Sequence, residues 1–393
     1  MAISKINNMI SDQEAAQSEY ILNIIKDKLQ KYRFLSFDKF MEICLYEPEY
    51  GYYSSLKEKF GEFGDFITAP EISPFFAYTF SQQFIKILNK KNNKNILEFG
   101  AGRGKFAAGC IKNMHKNNFK LEKYYIIELS ATLKAEQQYY LKQEVPFFYE
   151  NIVWLSEIPK VFNGVIFANE VLDAMPVNIF KKEGSNIHEV CVKLEHDNLV
   201  YHVDSSRNKR LLEAVKNIED DIGVLPDGYH SEVNLWLEPW LKSLYNCIES
   251  GVIFICDYGY NRKSYYAPNH SNGTIQCYSK HKVHNNPLIN CGIQDITAHV
   301  DFTQVATIAS NLGFDIEGYS TQGQYLLFNG IMDIYQNCSN FIKDKKKLIA
   351  YITGIQKLIM PDQMGEMFKV CCMSKNYDIE DDYFEMIDLS HKL

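Results

Sequence analysis

Concentrated basic charge, paired cysteines and long apolar runs are all scarce in this 393-residue chain. There is no lysine- and arginine-rich block, and the formal charge is −8. A nucleic-acid partner is therefore not expected, because neutralising phosphates takes a concentrated basic face. The ten cysteines are scattered without a CxxC pair, Cys371 and Cys372 being the adjacent couple. That pattern points away from a zinc site or disulfide framework and towards reduced thiols, so no metal is expected. No apolar stretch approaches the roughly 20 residues needed to cross a bilayer, so membrane insertion is not expected either. Asp12, Glu14 and Glu19 precede the first arginine, Arg33, and the N-terminus has neither a signal-peptide nor an import pattern. A cytoplasmic, bacterial-type setting is expected. A hydrophobic content of 46% allows a large core, in one elaborated domain or two smaller ones.

The segment NILEFGAGRGKF (95 to 106) carries the strongest signal. Ile96, Leu97 and Phe99 suit a buried parallel strand, and Phe106, Cys110, Ile111 and Met114 follow at helical spacing. Gly100, Gly102 and Gly104 lie at the junction, where glycine lets the backbone turn sharply and approach a ligand. A dinucleotide fingerprint needs a glycine at the sixth position from Gly100, and that position is Lys105. Phosphate recognition and a nicotinamide cofactor are thus disfavoured. S-adenosyl-L-methionine (SAM) fits better, since it has no phosphate but carries an ammonium, a ribose diol and a cationic sulfur. Glu98 is placed to draw the ammonium, and Glu128, ending the apolar run YYIIE, to accept from both ribose hydroxyls.

Alternation of elements gives the fold class: α/β, a doubly wound, mostly parallel sheet. Ser11 and Glu14 form a capping-box signature ahead of a helix, and Phe76, Phe80, Phe84 and Leu88 mark a second helix with a core-facing stripe. Strands are predicted at 95–99, 124–128, near 147–149, 164–168 and 251–259, with helices over 104–116 and 131–143. FDIEGYS (314 to 320) and YLLF (325 to 328) are expected to complete the sheet, with a helical tail to about Lys357. The expected layout is an N-terminal helical region (1–90), a core of 91–177 and 248–335, an inserted α+β substrate subdomain (178–247) and a C-terminal tail (336–393). The long Tyr-, Asn- and His-rich excursion 258–300 is expected to hold substrate contacts.

Several segments together carry a family resemblance: LYEPEYGYY (45 to 53), FGEFGDFITAPEISPFF (60 to 76), ILEFGAGRG (96 to 104), IIELS (126 to 130), FANEVLDAMPV (167 to 177), DYGY (257 to 260), SNGTIQCY (271 to 278) and NPLINCGIQDITAHVDFT (286 to 303). The chain resembles the MidA-like family of SAM-dependent methyltransferases, whose mitochondrial member methylates an arginine of a respiratory complex I subunit during assembly. The resemblance implies a class I (Rossmann-like) SAM-dependent methyltransferase fold, a SAM cofactor, a protein substrate presenting an arginine, and action on a subunit of an NADH:quinone oxidoreductase. A SAM-binding assembly factor without turnover and a small-molecule methyltransferase stay open beside it. Oligomeric state is not specified by the sequence.

Candidate site residues follow. Glu170 and Asp173 of ANEVLDAMPV are three apart, so in a helical turn they share a face and grip a guanidinium between them. The plainer alternative is a helix start, with Asn169 as N-cap and the acids favoured by the dipole. In GDFITAPEIS, containing Asp65, the family motif implies a cofactor lid through Thr68, Pro70 and Glu71, against the alternative of a rigid turn capping the next helix at Ser73 and Pro74. The implied cofactor shell also includes Glu98, Gly100, Ala101, Gly102, Gly104, Glu128, Leu129, Asn151, Ile152 and Asn169. His299 is a candidate proton acceptor or a structural histidine. Asp257, Asp295 and Asp301 are candidate substrate contacts.

Overall fold

A computed structural model describes residues 11–55, 67–90, 93–280, 282–377 and 384–393; Asp65 lies outside them. The helix Asp12–Tyr32 starts with the expected capping box. Ser11 Oγ accepts from the Glu14 N–H at 3.2 Å, and a Glu14 oxygen accepts from the Ser11 N–H at 2.9 Å. Strand β1 (Leu35–Ser36), the helix Phe37–Tyr46 and the short helix Ala69–Ile72 lead to the helix Pro74–Asn89. Ser73 caps that last helix, and Pro74 takes its first position, where a missing N–H is harmless. Its stripe of Phe76, Phe80, Phe84 and Leu88 is fully buried. The Phe80 ring lies 5.0 Å from Phe167 and 4.9 Å from Tyr325, so the stripe joins the helix to the sheet.

That sheet begins with β2 (Asn95–Phe99), β3 (Lys123–Ile127), β4 (Ile152–Leu155) and β5 (Phe162–Asn169). An insertion follows: β6 (Asn178–Glu183), β7 (Asn186–Glu195) and β8 (Asn198–Ser205) form a meander, joined by β9 (His230–Val233) and, from the N-terminal region, by β1. The chain re-enters the main sheet at β10 (Ile248–Tyr260). The excursion after it folds into a small sheet of β11 (Gln276–Ser279), β12 (Lys282–His284) and β13 (Asp295–Thr297). Last come β14 (Val300–Asp301), which pairs with β10, then β15 (Asp315–Thr321) and β16 (Phe368–Lys375). The main order is β15-β16-β10-β5-β2-β3-β4, parallel from β10 to β4 and antiparallel on both sides of β16. The chain runs outward from β2 to β4 and returns to β5 on the other side of β2. That reversal is the switch point where open α/β sheets bind ligands, and the glycine loop leaves β2 there.

Three expectations are corrected. YLLF is not a strand: Thr321 Oγ1 accepts from the Gln324 N–H at 3.3 Å and starts the helix Gln322–Phe328. The sheet position it would have filled belongs to β16, which lies in the segment read as a tail and contains Cys371 and Cys372. Phe368 to Ser374 are all buried, and the short apolar run Val370 to Met373 within them has no period to distinguish strand from helix. The strand near 147–149 is a single 3-10 turn, Tyr149–Asn151, and the true strand β4 starts just after it. ANEVLDAMPV forms an irregular turn rather than a helix start, with Asn169 as the last residue of β5.

The aromatic stripe yields a stability prediction. Phe80→Ala should cost about 3–5 kcal/mol in urea unfolding, the range for emptying a well-packed aromatic site. A loss below ~1 kcal/mol would contradict the central place given to this ring.

Candidate active site

The C-terminal ends of β2, β3 and β5 open into a cavity of about 390 Å³. One wall is the glycine loop, where Gly100, Gly102 and Gly104 have φ of +60°, +52° and +82°. Side chains resist this left-handed region, and a Cβ at Gly102 would meet no atom of the described residues within 4 Å beyond its own chain neighbours. The loop thus presents bare backbone to the open space. Glu98 faces the same cavity but is buried, accepting from the Tyr124 hydroxyl at 2.6 Å. Glu128 accepts from the Ser130 N–H at 2.9 Å. Ala101 and the exposed Leu129 line the cavity beside them. Thr68, Pro70 and Glu71 close another side, and Lys105 is ion-paired to the buried Glu71 carboxylate. The residue that breaks the dinucleotide fingerprint therefore ties the helix after the glycine loop to the segment read as a lid.

The other half of the cavity is built from acids and tyrosines. Glu170 is held at φ +53°, its N–H bonded to the Cys256 carbonyl at 2.9 Å. Asn169 Nδ2 donates to its carboxylate at 3.0 Å. Asp173 is hydrogen-bonded by Tyr258, and Asp295 accepts from the Tyr53 hydroxyl at 2.9 and 3.0 Å. Asp295 sits on β13 directly across from Tyr278 on β11, which places both on the cavity wall. Tyr46 stacks on Tyr53 with centroids 5.6 Å apart and anchors to the Ala174 carbonyl at 2.8 Å. His299 also reaches the cavity. The tyrosines come from LYEPEYGYY, DYGY and SNGTIQCY, whose family match was visible but whose contribution to the site was not. Met364, Met367 and Phe368 line the cavity from the far C-terminal segment, for which the sequence offers no signal.

Five expected site residues lie elsewhere. Gly104 begins the helix Lys105–Lys116 and faces Leu141 rather than the cavity. Ile152 pairs with Tyr124, four residues before Glu128, so it and Asn151 lie towards the wrong end of parallel strands for a cofactor contact. Asp301 caps the helix Phe302–Leu312 and binds Arg262 Nε at 3.1 Å, both structural tasks. Asp257 is fully buried; its Oδ2 accepts from the backbone N–H groups of Val171, Leu172 and Asp173 at 3.2, 2.9 and 3.3 Å. It shapes the turn that carries Glu170 and Asp173 and does not touch the cavity.

Comparison with known proteins decides the family. Residues 78–320 match the model of a family described as "Putative S-adenosyl-L-methionine-dependent methyltransferase". The chain belongs to this methyltransferase family. The methyltransferase is also similar to the crystal structure of a Burkholderia thailandensis protein bound to S-adenosyl-homocysteine, with 32% identity and a TM-score of 0.91 over 98% of this chain and 99% of that one. Among curated proteins it is 26% identical to the mitochondrial protein arginine methyltransferase NDUFAF7 homolog of Caenorhabditis elegans, covering 90% of this chain and 86% of that protein. It is 25% identical to human NDUFAF7, covering 84% and 78%.

SAM is the family's cofactor, and the residues of the methyltransferase fit it. Asn169 Oδ1 and Asp173 Oδ1 are buried acceptors with no hydrogen-bond partner among the described residues, an arrangement that suits cationic ligands. Burial pushes Glu98 up to about 8, with Tyr124 pulling against it. Burial, then Asp173, pushes Glu170 to about 8, and burial pushes Asp173 to about 6. A positive charge brought among these groups lets them ionise. His299 differs: burial lowers it to about 4, so it is neutral at physiological pH, and both ring nitrogens are buried without partners among the described residues. A neutral imidazole of that basicity is a weak proton acceptor, and its edge-to-face packing with Tyr258, centroids 5.2 Å apart, makes it part of the wall.

The raised carboxyls make stability pH-dependent. Glu170 keeps its proton in the folded state up to about 8, whereas in the unfolded chain it ionises near pH ~4.3. Stability of the ligand-free protein therefore falls as pH rises between those values. Glu170→Gln removes that contribution, so its melting temperature should gain on the wild type steadily from pH 5 to pH 8. A constant difference across that range would contradict the burial of this carboxyl.

Proposed function

We propose that the protein transfers a methyl group from SAM to the guanidinium of an arginine in a protein substrate. The observation that carries this reading is the convergence of Glu170, Asp173 and Asp295, with Tyr46, Tyr53 and Tyr258, on one cavity beside the glycine loop. Guanidinium stays charged at any working pH and offers a planar fork of donors matched to carboxylates. Tyrosine faces and hydroxyls line the same space and suit a delocalised cation. The names of the C. elegans and human relatives supply the same acceptor independently.

Bound SAM supplies an electrophilic methyl group on a cationic sulfur. The chain's own contribution is positioning and proton handling. Glu98, Asn169 and the glycine loop receive the cofactor's amino-acid portion, and Glu128 its ribose. Glu170 and Asp173 hold the guanidinium from one side, fix one nitrogen towards the donor and accept the proton that nitrogen sheds. Groups titrating at about 6 and about 8 are suited to take up and release a proton near neutrality. We read the substrate as a subunit of a respiratory NADH:quinone oxidoreductase and the setting as cytoplasmic. Support for the first is the motif resemblance to the MidA-like family, and for the second the free, mostly buried cysteines. No helix among the described residues is long and apolar enough to cross a membrane.

Incubating cell lysate with labelled SAM and mapping the labelled residue tests the proposal. Wild-type protein should label an arginine. Glu170→Gln should lower the rate by about 100-fold or more, the low end for losing a positioned base. Gly102→Val should abolish labelling by straining the left-handed loop and filling the cofactor side of the cavity. Label on a residue other than arginine, or full activity in Gly102→Val, would overturn the assignment.

A further inference from the structure

Gln137, on the helix Ala131–Glu144, sits behind the cofactor side of the cavity and is completely buried. Its Nε2 donates twice, to the Gly102 carbonyl at 2.8 Å and to Glu128 Oε2 at 2.9 Å. Its Oε1 accepts from the Trp154 indole N–H at 3.0 Å. The amide thus spans three separate pieces of chain: the glycine loop after β2, the acid after β3, and β4.

The chemistry of the three partners fixes which way the amide points. An indole nitrogen only donates, while a backbone carbonyl and a carboxylate accept. With its oxygen facing Trp154, both N–H groups must face the loop and the acid. Turned over, the amide would set its oxygen against the Gly102 carbonyl and the Glu128 carboxylate and its N–H groups against the indole N–H. Every bond would be lost, and in a buried site none is replaced by water. Trp154 therefore sets the sense of Gln137. Gln137 in turn sets the separation of the two groups that the proposed function assigns to the cofactor's two ends.

We infer that Gln137 is the positioning residue of the cofactor seat and that Trp154 orients it. It holds Glu128 with one oxygen turned to Gln137 and the other to the Ser130 N–H, which fixes the orientation of the carboxylate assigned to the ribose. It also ties down a loop whose left-handed glycines give it little resistance of its own. The task is pre-organisation: the seat has its bound spacing before the cofactor arrives, so less ordering is left for binding to drive. Gln137 does not line the cavity and touches neither reactant.

This inference rests on the SAM reading, and the test separates the two. Binding of S-adenosyl-homocysteine is measured by calorimetry for the wild type, Gln137→Met, Trp154→Phe, Glu128→Gln and the Gln137→Met/Glu128→Gln pair, alongside KM for SAM and kcat. Gln137→Met keeps the volume and removes the donors, and should weaken binding about tenfold, one or two lost hydrogen bonds to a charged group. KM for SAM should rise by more than kcat falls. Trp154→Phe keeps a ring and removes the N–H, and should weaken binding by a smaller factor of about three. The paired variant should bind little worse than Glu128→Gln alone, because the two residues act in series. Unchanged binding in both Gln137→Met and Trp154→Phe would overturn the inference and leave the SAM reading standing. So would fully additive losses in the pair, or a fall confined to kcat. Wild-type protein that fails to bind S-adenosyl-homocysteine would overturn the SAM reading itself, and this inference with it. Should Gln137→Met not fold, Trp154→Phe and its pairing with Glu128→Gln carry the same comparison.

Discussion

One buried carboxylate holds the acceptor side of this protein in shape. Asp257 receives three consecutive backbone N–H groups, from Val171 to Asp173, at the point where β5 ends. Without a regular helix to consume those donors, the turn would leave them orphaned in a dry interior, at the cost of a full hydrogen bond each. With them satisfied, the chain can take the left-handed step at Glu170 and bring that side chain and Asp173 into the same cavity. Burial and the nearby Asp173 and Glu170 push Asp257 above the usual carboxylate range, while the backbone N–H groups pull it back. Its importance for chemistry is indirect: it positions two acids without touching a reactant.

The rest of the site can be understood as a response to concentrated like charge. Glu98, Glu170, Asp173 and Asp295 surround one cavity, and the interior does not let them all ionise at neutral pH. Neutral tyrosine hydroxyls donate to three of them: Tyr124 to Glu98, Tyr258 to Asp173 and Tyr53 to Asp295. Arg103 and Lys105 also line the cavity, but acids outnumber them there. A sulfonium cofactor and a guanidinium acceptor each bring positive charge, so the same field that burdens the empty fold favours both ligands.

Much of this was legible in the sequence, and the gaps have physical causes. The glycine loop, Glu98 and Glu128 were visible because a strand, a turn and a helix in close succession leave a local pattern. ANEVLDAMPV identified the right acids for a wrong reason. Its spacing suits a helical face, whereas the structure uses an irregular turn whose donors are satisfied by Asp257, some 85 residues onward, a contact no local pattern encodes. Asp301 looked like a site acid because cap and ligand acids share a composition; only the Gln304 N–H and Arg262 tell them apart. β16 was missed because its four-residue apolar run, Val370 to Met373, carries no period and its neighbours β10 and β15 are distant in sequence. Gln137 and Trp154 were invisible for the same reason: each is an unremarkable residue of its own element, and their pairing exists only after the sheet has formed.

Recognition of a cation by a site in which burial keeps the Glu170 carboxyl protonated is measured directly by proton counting. The protein loaded with S-adenosyl-homocysteine is titrated with N-acetyl-arginine methylamide at pH 7 in two buffers of different ionisation enthalpy. Net proton release is expected on binding, because Glu170 ionises opposite the guanidinium, and that release should vanish in Glu170→Gln. Binding with no proton release, or equal binding of the neutral citrulline analogue, would contradict this mode of recognition.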